Sequence, residues 1–251
     1  MRVGPPDACH NGPAMTGLPL VTERPAERDA VRISALGPLV LALSSAFVLI
    51  GLAGVLVATP WYLDGALDRA GSAANLGLPP DEVHALSSSV LAELFVGPGT
   101  FAQTVAAAAG SRVPFFGANE AAHLRDVQLL ARLLVAIVLA AVVIVATGLA
   151  RAGARAWTWS AISRGAAGLA LGLTGAGLLF AIAFEPAFTL FHVVFFPGGN
   201  WSFDPREARM VQLYPTPFWQ EVVLVFAILA VGLALLLWAA ARRRARSLEP
   251  A

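Results

Sequence analysis

The 251-residue chain is poor in charge, has a single cysteine and has no lysine. Charged residues make up only 13% of it, whereas a soluble globular domain has about 25%. Because Cys9 stands alone, the chain can build neither a disulfide framework nor a cysteine-based metal site. Apart from the histidines, its basic side chains are 17 arginines, whose distribution does not indicate nucleic-acid binding. These features point away from a soluble domain.

Hydrophobic residues make up 57% of the chain and are concentrated in four segments without any charged side chain. These segments are residues 33–63, 133–150, 165–184 and 222–241. A helix of roughly 20 residues crosses the hydrocarbon core of a bilayer, and continuous rather than alternating apolar runs favour helices. We therefore expect an all-α integral membrane protein with four transmembrane helices and a cap formed by its two outer loops.

The predicted layout has three parts. Residues 1–32, which are rich in proline and lack periodicity, are expected to form a disordered cytoplasmic tail. Residues 33–241 form the membrane domain, and residues 242–251 form a basic cytoplasmic tail. Within the membrane domain the predicted helices and the outer cap are as follows: helices at about 36–58, 127–150, 165–188 and 219–241, and cap segments at 64–122 and 189–218. The first apolar run is too long and too far from Met1 for a cleavable signal peptide.

The arginines determine the expected orientation. With both termini and the loop at 151–164 on the cytoplasmic side, 11 of the 17 arginines lie inside and 11 of the 16 acidic residues lie outside. This distribution follows the preference of positive residues for the cytoplasm. The arginine cluster at 242–246 is also suited to contact anionic membrane lipid. We therefore expect a multi-pass protein whose two longer loops are extracytoplasmic.

The first outer loop contains one clear helix signal. Residues 79–82 (Pro-Pro-Asp-Glu) suit the first turn of a helix. Apolar residues then follow at spacings of three and four, which make one apolar face: Val83, Leu86, Val90 and Leu94. His84 lies off this face and is expected to be solvated. Residues 100–116 show no assignable pattern.

A first cluster of ionisable residues stands before the second apolar segment. Glu120, His123 and Asp126 are spaced i, i+3 and i+6, so they lie roughly along one side of a helix whose plausible N-cap is Asn119. A carboxylate on one ring nitrogen fixes the tautomer of a histidine and raises the basicity of the other nitrogen. The spacing therefore suits an acid–base site, although a solvated helix start with a local ion pair is the commoner outcome.

A second cluster follows the third apolar segment. Residues 191–205 (Phe-His-Val-Val-Phe-Phe-Pro-Gly-Gly-Asn-Trp-Ser-Phe-Asp-Pro) combine a histidine, five aromatic rings, an amide and a carboxylate. A plain membrane anchor has no use for this mixture. Because the second and third helices are joined by a short loop, we expect them to pack side by side. His123 and His192 would then meet at the outer membrane surface in a candidate active site.

The two clusters resemble the two motifs of the bacterial lipoprotein intramolecular transacylases. Residues 120–127 (Glu-x-x-His-Leu-x-Asp-Val) are similar to the first motif and residues 191–205 to the second. Residues 213–221 (Leu-Tyr-Pro-x-x-Phe-Trp-x-Glu) resemble a further family segment, with Tyr214 in place of the usual Phe and Glu221 in place of an Asp. The resemblance spans about residues 36–241 and includes the four-helix plan.

The resemblance implies a reaction at the extracytoplasmic face of a bacterial cytoplasmic membrane. The substrate would be a diacylglyceryl lipoprotein whose N-terminal cysteine has a free amine. The sn-2 acyl chain would move from the glyceryl oxygen to that amine and give a lyso-form N-acyl lipoprotein, with His123 and His192 as the catalytic residues. Ester and amine belong to one molecule, which favours transfer. Because passage from ester to amide is downhill, no cofactor or metal is expected.

For the individual residues we hypothesise the following roles. His123, oriented by Glu120 or Asp126, takes the proton of the amine, and His192 stabilises the oxyanion or protonates the glyceryl oxygen. The two histidine roles are interchangeable at this stage. Asn200 or the two glycine amides before it are candidate donors to the oxyanion.

Six aromatic side chains are expected to line an apolar site that excludes water: Phe191, Phe195, Phe196, Trp201, Phe203 and Trp219. For each ring by itself, an aromatic belt at the membrane surface is an equally good interpretation. Asp204, which precedes Pro205, is expected either to support the site or only to cap a turn.

Two other functions remain open. Glu120, His123, Glu185 and His192 could form the metal site of a membrane hydrolase, although a second Glu-x-x-His is missing. The chain could also be a non-catalytic lipid-binding scaffold, since fold does not guarantee function. A transporter is disfavoured because no apolar segment carries a charge near its centre. The residues indicate neither which lipoproteins are modified nor the oligomeric state.

Overall fold

The computed structural model describes residues 1–2, 25–106 and 111–249. It divides into two units, Met1–Leu36 and Gly37–Ala251. Most of the predicted disordered tail lies outside the described residues, but residues 25–32 are helical, so the predicted boundary at residue 32 is wrong. The first helix begins at Pro25. Proline suits the first position of a helix because an N–H there would have no intrahelical partner. The charged residues between Pro25 and Ile33 mark where the uncharged run begins, but the helix extends through them.

The described residues form helices and one short hairpin. In chain order they are α1 Pro25–Val57, α2 Pro60–Ala70, α3 Ser72–Leu76, α4 Pro80–Phe95, β1 Thr104–Ala106, β2 Arg112–Pro114, α5 Ala118–Ala152, α6 Ala156–Ile182, α7 Phe184–Phe195, α8 Arg209–Leu213 and α9 Thr216–Ser247. The two strands pair antiparallel, with Val105 opposite Val113.

Four of these helices are long and apolar enough to cross a membrane. They are Leu36–Val57 within α1, Ala118–Ala152, Ala156–Ile182 and Thr216–Ser247. Large apolar side chains on them are exposed, for example Val143 (61%), Leu171 (76%) and Leu236 (71%). A face of this kind needs an apolar surrounding. The predicted all-α membrane fold with four transmembrane helices is confirmed, with a small two-stranded sheet added.

The helix boundaries differ from the prediction because an uncharged run marks only the part of a helix inside the hydrocarbon. α5 begins at Ala118 rather than near residue 127, and α9 continues to Ser247 rather than ending at 241. A 35-residue helix is about 50 Å long and exceeds a hydrocarbon core of about 30 Å. Residues assigned to the cap (118–122) and to the basic tail (242–247) therefore continue these helices.

The predicted third helix at 165–188 is divided in two. α6 starts earlier, at Ala156, and ends at Ile182, and α7 begins at Phe184 after Ala183 leaves the helical region (φ −134°, ψ 55°). Pro186 explains the break, because a proline ring clashes with the carbonyl four residues earlier, which here belongs to Ile182. Pro186 is tolerated in the first turn of α7, where N–H groups have no intrahelical partner. The helix is therefore interrupted nine residues before His192.

The membrane helices pack through small residues. α6 lies along α9, and Ala166, Ala170 and Ala234 form a buried cluster with Leu49 of α1. A Cβ atom at Gly165 would overlap the Ala42 carbonyl oxygen, so α1 and α6 are in backbone contact there.

α5 packs differently from the prediction. A Cβ atom at Gly148 of α5 would lie 3.1 Å from Leu41 of α1, and one at Gly51 of α1 would overlap Val138 of α5. α5 makes few contacts with α6. The prediction that these two consecutive helices pack side by side is therefore wrong over most of their length.

A cap with a core of its own joins one end of the membrane helices. Fully buried members of this core come from α2, α4, the stretch after β2 and α8, namely Leu67, Val83, Val90, Phe115 and Leu213. The predicted apolar face of α4 supplies Val83, Leu86 and Val90 and is thereby confirmed. Both loops contribute to this core, because α2, α4 and the hairpin precede α5 whereas α8 follows α7.

Hydrogen bonds fasten the cap to α5. Gln128 Nε2 donates to the Glu93 carbonyl oxygen at 2.5 Å, and the Arg132 guanidinium donates to the Gly97 carbonyl oxygen. The last carbonyls of a helix have no partner within it, so α5 satisfies the C-terminal end of α4. This connection fixes the first turns of α5, which carry the site residues.

His84 has a partner, contrary to the expectation of a solvated ring. Its Nε2 atom lies 2.8 Å from Asp68 Oδ1, so α4 and α2 are linked by this pair. The partner is 16 positions earlier in the chain and lies on another helix, so the periodicity of α4 does not predict it.

Candidate active site

The α7 helix presents His192 to the protein and its aliphatic side chains to the outside. Ala187 and His192 are its buried residues, and His192 is only 7% exposed. Leu190, Val193 and Val194 are all more than half exposed. A 12-residue helix is about 18 Å long and too short to span a bilayer, so its exposed apolar face suits the membrane surface.

The second histidine comes from the first turns of α5. Glu120, His123, Leu124 and Gln128 are buried at helical spacing. The ring centroids of His123 and His192 lie 5.9 Å apart with an interplanar angle of 29°. The two histidines named as catalytic candidates therefore meet, although they are brought together by the turn at Ala183 and not by parallel packing of α5 and α6.

Aromatic rings surround His192 on several sides. Its ring centroid lies 4.1 Å from that of Phe188, 5.1 Å from that of Trp201 and 5.3 Å from that of Phe191. The two motifs do not include Phe188. Its position, four residues before His192 on one helix, is the signal that could have identified it.

Two further rings connect the histidines. Phe196 is buried, and its centroid lies 4.8 Å from that of His123 and 5.5 Å from that of His192. The Phe203 centroid lies 6.0 Å from that of His123. The two imidazoles thus sit in a largely apolar enclosure, where electrostatic interactions are stronger than in water.

The tautomer of His192 follows from its hydrogen bond. Its Nδ1 atom lies 2.8 Å from the Phe188 carbonyl oxygen. A carbonyl can only accept, so Nδ1 carries the proton and the lone pair of a neutral ring lies on Nε2. Burial lowers the pKa of His192 below its ordinary value of 6.5, and the bond to the Phe188 carbonyl partly offsets this. His192 is therefore neutral at pH 7, with Nε2 available as a base.

An amide links the second motif to α5. Asn200 Nδ2 donates to Asp126 Oδ2 at 2.7 Å. Asn200 Oδ1 and His123 Nδ1 are both buried, and among the described residues neither has a hydrogen bond of regular geometry. The two side chains nonetheless interact: burial and His192 lower the pKa of His123, and Asp126 and Asn200 act in the opposite direction. Buried polar atoms of this kind are costly unless water or a ligand satisfies them. Asp126 therefore reaches the site through Asn200.

Glu120 does not orient His123. Its Oε2 atom accepts the Gly117 N–H at 2.6 Å, and its Oε1 atom accepts the Met210 N–H at 2.7 Å. The first bond caps the start of α5, and the second holds the start of α8 against it. The hypothesis that Glu120 directs the histidine is therefore wrong, because both carboxylate oxygens bind backbone amides.

The loop between α7 and α8 turns on residues that suit its geometry. Gly199 has φ 74°, a conformation that favours glycine, and its N–H donates to the Phe196 carbonyl oxygen at 3.2 Å. Asp204 Oδ1 accepts the Arg206 N–H at 2.9 Å, which is the turn-capping alternative expected for this residue.

Two of the six predicted aromatic residues stand apart from the histidine rings. Phe195 is half exposed, and its ring contacts Phe191 at a centroid distance of 4.9 Å. Trp219 packs against Phe218 and Tyr214 on the start of α9. Phe191, Phe196, Trp201 and Phe203 are the four whose rings contact a histidine.

The metal-site alternative does not match the geometry. Across residues 1–2, 25–106 and 111–249, no group of three or more His, Cys, Asp or Glu side chains is placed to hold a metal ion. The Glu120 oxygens are committed to backbone amides, and Glu185 is exposed at the start of α7. The four residues proposed for a hydrolase therefore do not converge.

Comparison with known families decides the assignment. The family model described as lipoprotein intramolecular transacylase Lit matches residues 39–219, which include both histidines and the cap. The chain belongs to this family. As a member of the lipoprotein intramolecular transacylase family it is an enzyme that works on lipoproteins. No curated protein sequence matches the chain.

Solved structures of the same family share the fold. The membrane-integral lipoprotein intramolecular transacylase Lit from Bacillus cereus has 20% identity and a TM-score of 0.69, over 86% of this chain and 98% of that chain. Two variants of that enzyme, each with one histidine replaced, have 18% identity and TM-scores of 0.65; both cover 88% of this chain and at least 96% of their own.

Replacing Glu120 tests its structural role. Glu120→Gln retains one acceptor oxygen and places an NH₂ group against a backbone donor. We expect the free energy of unfolding to fall by about 1–3 kcal/mol, measured by thermal unfolding in detergent. Asn119→Ala, at the exposed neighbouring position, is the matched control and should change little. Unchanged stability of Glu120→Gln would contradict the assignment of both amide bonds.

The protonation state of His192 is open to direct measurement. With histidine labelled with ¹⁵N, NMR should show a proton on Nδ1 at pH 7 and a titration midpoint below 6.5, because burial disfavours the charged ring. Loss of the same signals in His192→Gln assigns them. A midpoint at or above 6.5, or a proton on Nε2 at pH 7, would show that the described hydrogen bond to Phe188 does not govern this ring.

Proposed function

We propose that the chain transfers the sn-2 acyl chain of a diacylglyceryl lipoprotein to the amine of its N-terminal cysteine. The product is a lyso-form lipoprotein with one acyl chain on nitrogen and one on the glyceryl group. The observation that carries this proposal is the pair of buried histidines, whose ring centroids lie 5.9 Å apart in an aromatic enclosure. Acyl transfer between an ester and an amine needs a proton removed from nitrogen and a proton supplied to oxygen, and two imidazoles can do both.

His192 is the better candidate for the base. Its Nδ1–H is bound to the Phe188 carbonyl, so Nε2 of the neutral ring can accept a proton. The ordinary pKa of an α-amine is about 7.7–8 and that of histidine about 6.5, so a neutral amine is accessible near pH 7. Of the two interchangeable role assignments, this is the one in which His192 is the base. The carboxylates expected to orient His123 bind other groups, since Glu120 binds backbone amides and Asp126 binds Asn200.

His123 then delivers a proton to the leaving glyceryl oxygen. The amine nitrogen attacks the ester carbonyl, a C–N bond forms and an N–H proton passes to His192 Nε2. The C–O bond to the glyceryl group breaks, and the glyceryl oxygen takes up the proton that His192 accepted, passed on through His123. Because burial and the neighbouring His192 lower the pKa of His123, its ring is neutral, so it accepts a proton on one nitrogen and gives one from the other. Both rings end neutral, and the cycle closes without an external reagent.

Asn200 links the loop between α7 and α8 to Asp126 of α5. Its Nδ2–H group is bound to Asp126, and its buried Oδ1 belongs to the same loop as Trp201, whose ring contacts His192. Of the two glycine amides, that of Gly199 donates to Phe196. The Gly198 amide is therefore the remaining backbone candidate for the oxyanion.

The surroundings separate an apolar side from a polar side. Phe191, Phe195 and the aliphatic face of α7 are exposed and suit the acyl chains. Beside Phe203 a depression of about 300 Å³ is lined by Asn119, Asp204 and Glu207 among others, and it suits the polypeptide of the substrate. Rings around the histidines would keep water from hydrolysing the ester. We place this site on the extracytoplasmic face and both termini in the cytoplasm, on the basis of the arginine distribution.

A reporter lipoprotein tests the proposal. It is expressed with this chain in a bacterial host that lacks N-acylation and is then analysed by mass spectrometry. We expect one acyl chain on the N-terminal amine and one on the glyceryl group. His123→Ala and His192→Ala should each reduce conversion by at least about 100-fold, the usual range for a lost acid or base.

His84→Ala is the matched control, because His84 pairs with Asp68 outside the histidine pair. It should keep conversion near that of the unmodified chain. A diacylglyceryl form that persists despite confirmed membrane insertion of the unmodified chain would contradict the proposed reaction. Conversion that survives both histidine substitutions would contradict the assignment of the site.

A further inference from the structure

An apolar groove runs between α1 and α6, at the opposite end of the membrane helices from the cap. Its volume is about 410 Å³. Leu39, Leu43 and Ala46 line it from α1, and Gly168 and Leu169 line it from α6. The α1 lining spans residues 38–46, which corresponds to about 12 Å along a helix. The groove exists because the helices touch at Gly165 whereas no atom lies within 4 Å of a Cβ at Gly168.

One end of the groove carries a cation. Arg164 is part of its lining and is exposed. Within the described residues no hydrogen bond or ion pair engages its guanidinium. Arginine presents several N–H donors that match the oxygens of a phosphate. A guanidinium next to an apolar groove can therefore bind the phosphate of a lipid while the groove binds an acyl chain.

The level of Arg164 along the helix fits a lipid headgroup. Trp157, about two turns earlier, is 39% exposed, and Arg155 is exposed at the start of α6. On α9 the Arg242 guanidinium lies 5.4 Å from the Trp238 ring centroid. Tryptophan and arginine mark the boundary between hydrocarbon and headgroups.

The charge at this end favours an anion. Seven arginines of the described second unit lie on the chain at this end: Arg151, Arg155, Arg164, Arg242, Arg243, Arg244 and Arg246. Glu249 is the carboxylate that accompanies them among the described residues of that unit. A lipid with a net negative headgroup is therefore attracted more strongly than a zwitterionic one.

We propose that this groove binds one acyl chain of an anionic phospholipid, with Arg164 holding the phosphate. The occupant is a lipid of the surrounding bilayer rather than the substrate, since the histidine pair lies at the other end of the helices. Lipid binding in this groove can therefore be tested independently of the transfer reaction.

Native mass spectrometry of the full chain in detergent tests this site. Dioleoyl phosphatidylglycerol and dioleoyl phosphatidylcholine are titrated separately, so that only the headgroup differs. We expect the anionic lipid to bind about fivefold more tightly, the effect of one arginine near a headgroup. Arg164→Gln should weaken the anionic lipid about fivefold and leave the zwitterionic one little changed. Arg155→Gln, at an exposed arginine outside the groove lining, is the matched control.

A second pair of variants tests the groove itself. Gly168→Leu should fill it and weaken both lipids, whereas Gly172→Leu, one turn later and equally free of neighbours, should weaken neither. Equal binding of the two lipids, or identical behaviour of Arg164→Gln and Arg155→Gln, would overturn the proposal. The proposal would also be overturned if the chain formed a dimer without lipid and Gly168→Leu converted that dimer to monomers, because a second copy of the chain would then occupy the groove. Acyl transfer should be retained in all four variants.

Discussion

The site depends on a constraint imposed by one proline. Pro186 cannot continue the hydrogen bonds of α6, so that helix ends at Ile182 and a new helix starts at Phe184. α7 therefore does not have to continue along the axis of α6. Its buried residues Ala187 and His192 face the rest of the protein. Without the break, a straight helix would carry His192 about 15 Å beyond Ile182 along the axis of α6. With it, the ring lies beside His123.

The cap completes this arrangement from the other side. Gln128 binds the Glu93 carbonyl in the last turn of α4, and Arg132 binds the Gly97 carbonyl just beyond that helix. Glu120 binds backbone amides at the start of α5 and of α8. These bonds hold the first turns of α5 against a packed core, whereas its later turns face outwards with exposed leucine and valine side chains. A packed cap beside lipid-facing helices suits an enzyme that works on lipoproteins, which have both a polypeptide and acyl chains.

The parts of the molecule that the sequence could predict are those governed by local chemistry. Uncharged runs locate the four membrane helices, because charge is costly in hydrocarbon, and spacing reveals the apolar face of α4. Partners distant in sequence escape such reasoning. The spacing predicts that Glu120 directs His123 three residues later, but one of the two partners of Glu120 is the Met210 amide, which lies 90 residues further along the chain at the start of α8. His84 meets Asp68 of another helix in the same way. Phe188 is the missed residue that local spacing did contain.

In the proposed reaction one acyl chain moves within the substrate from glyceryl oxygen to nitrogen and is not released to water. The most direct test uses the purified chain in lipid vesicles and a synthetic diacylglyceryl lipopeptide whose sn-2 chain alone is deuterated. Tandem mass spectrometry then locates the label. We expect the deuterated chain on the N-terminal amine and the unlabelled chain on the glyceryl group. Deuterated free fatty acid, or a label that stays on the glyceryl group, would rule out this transfer.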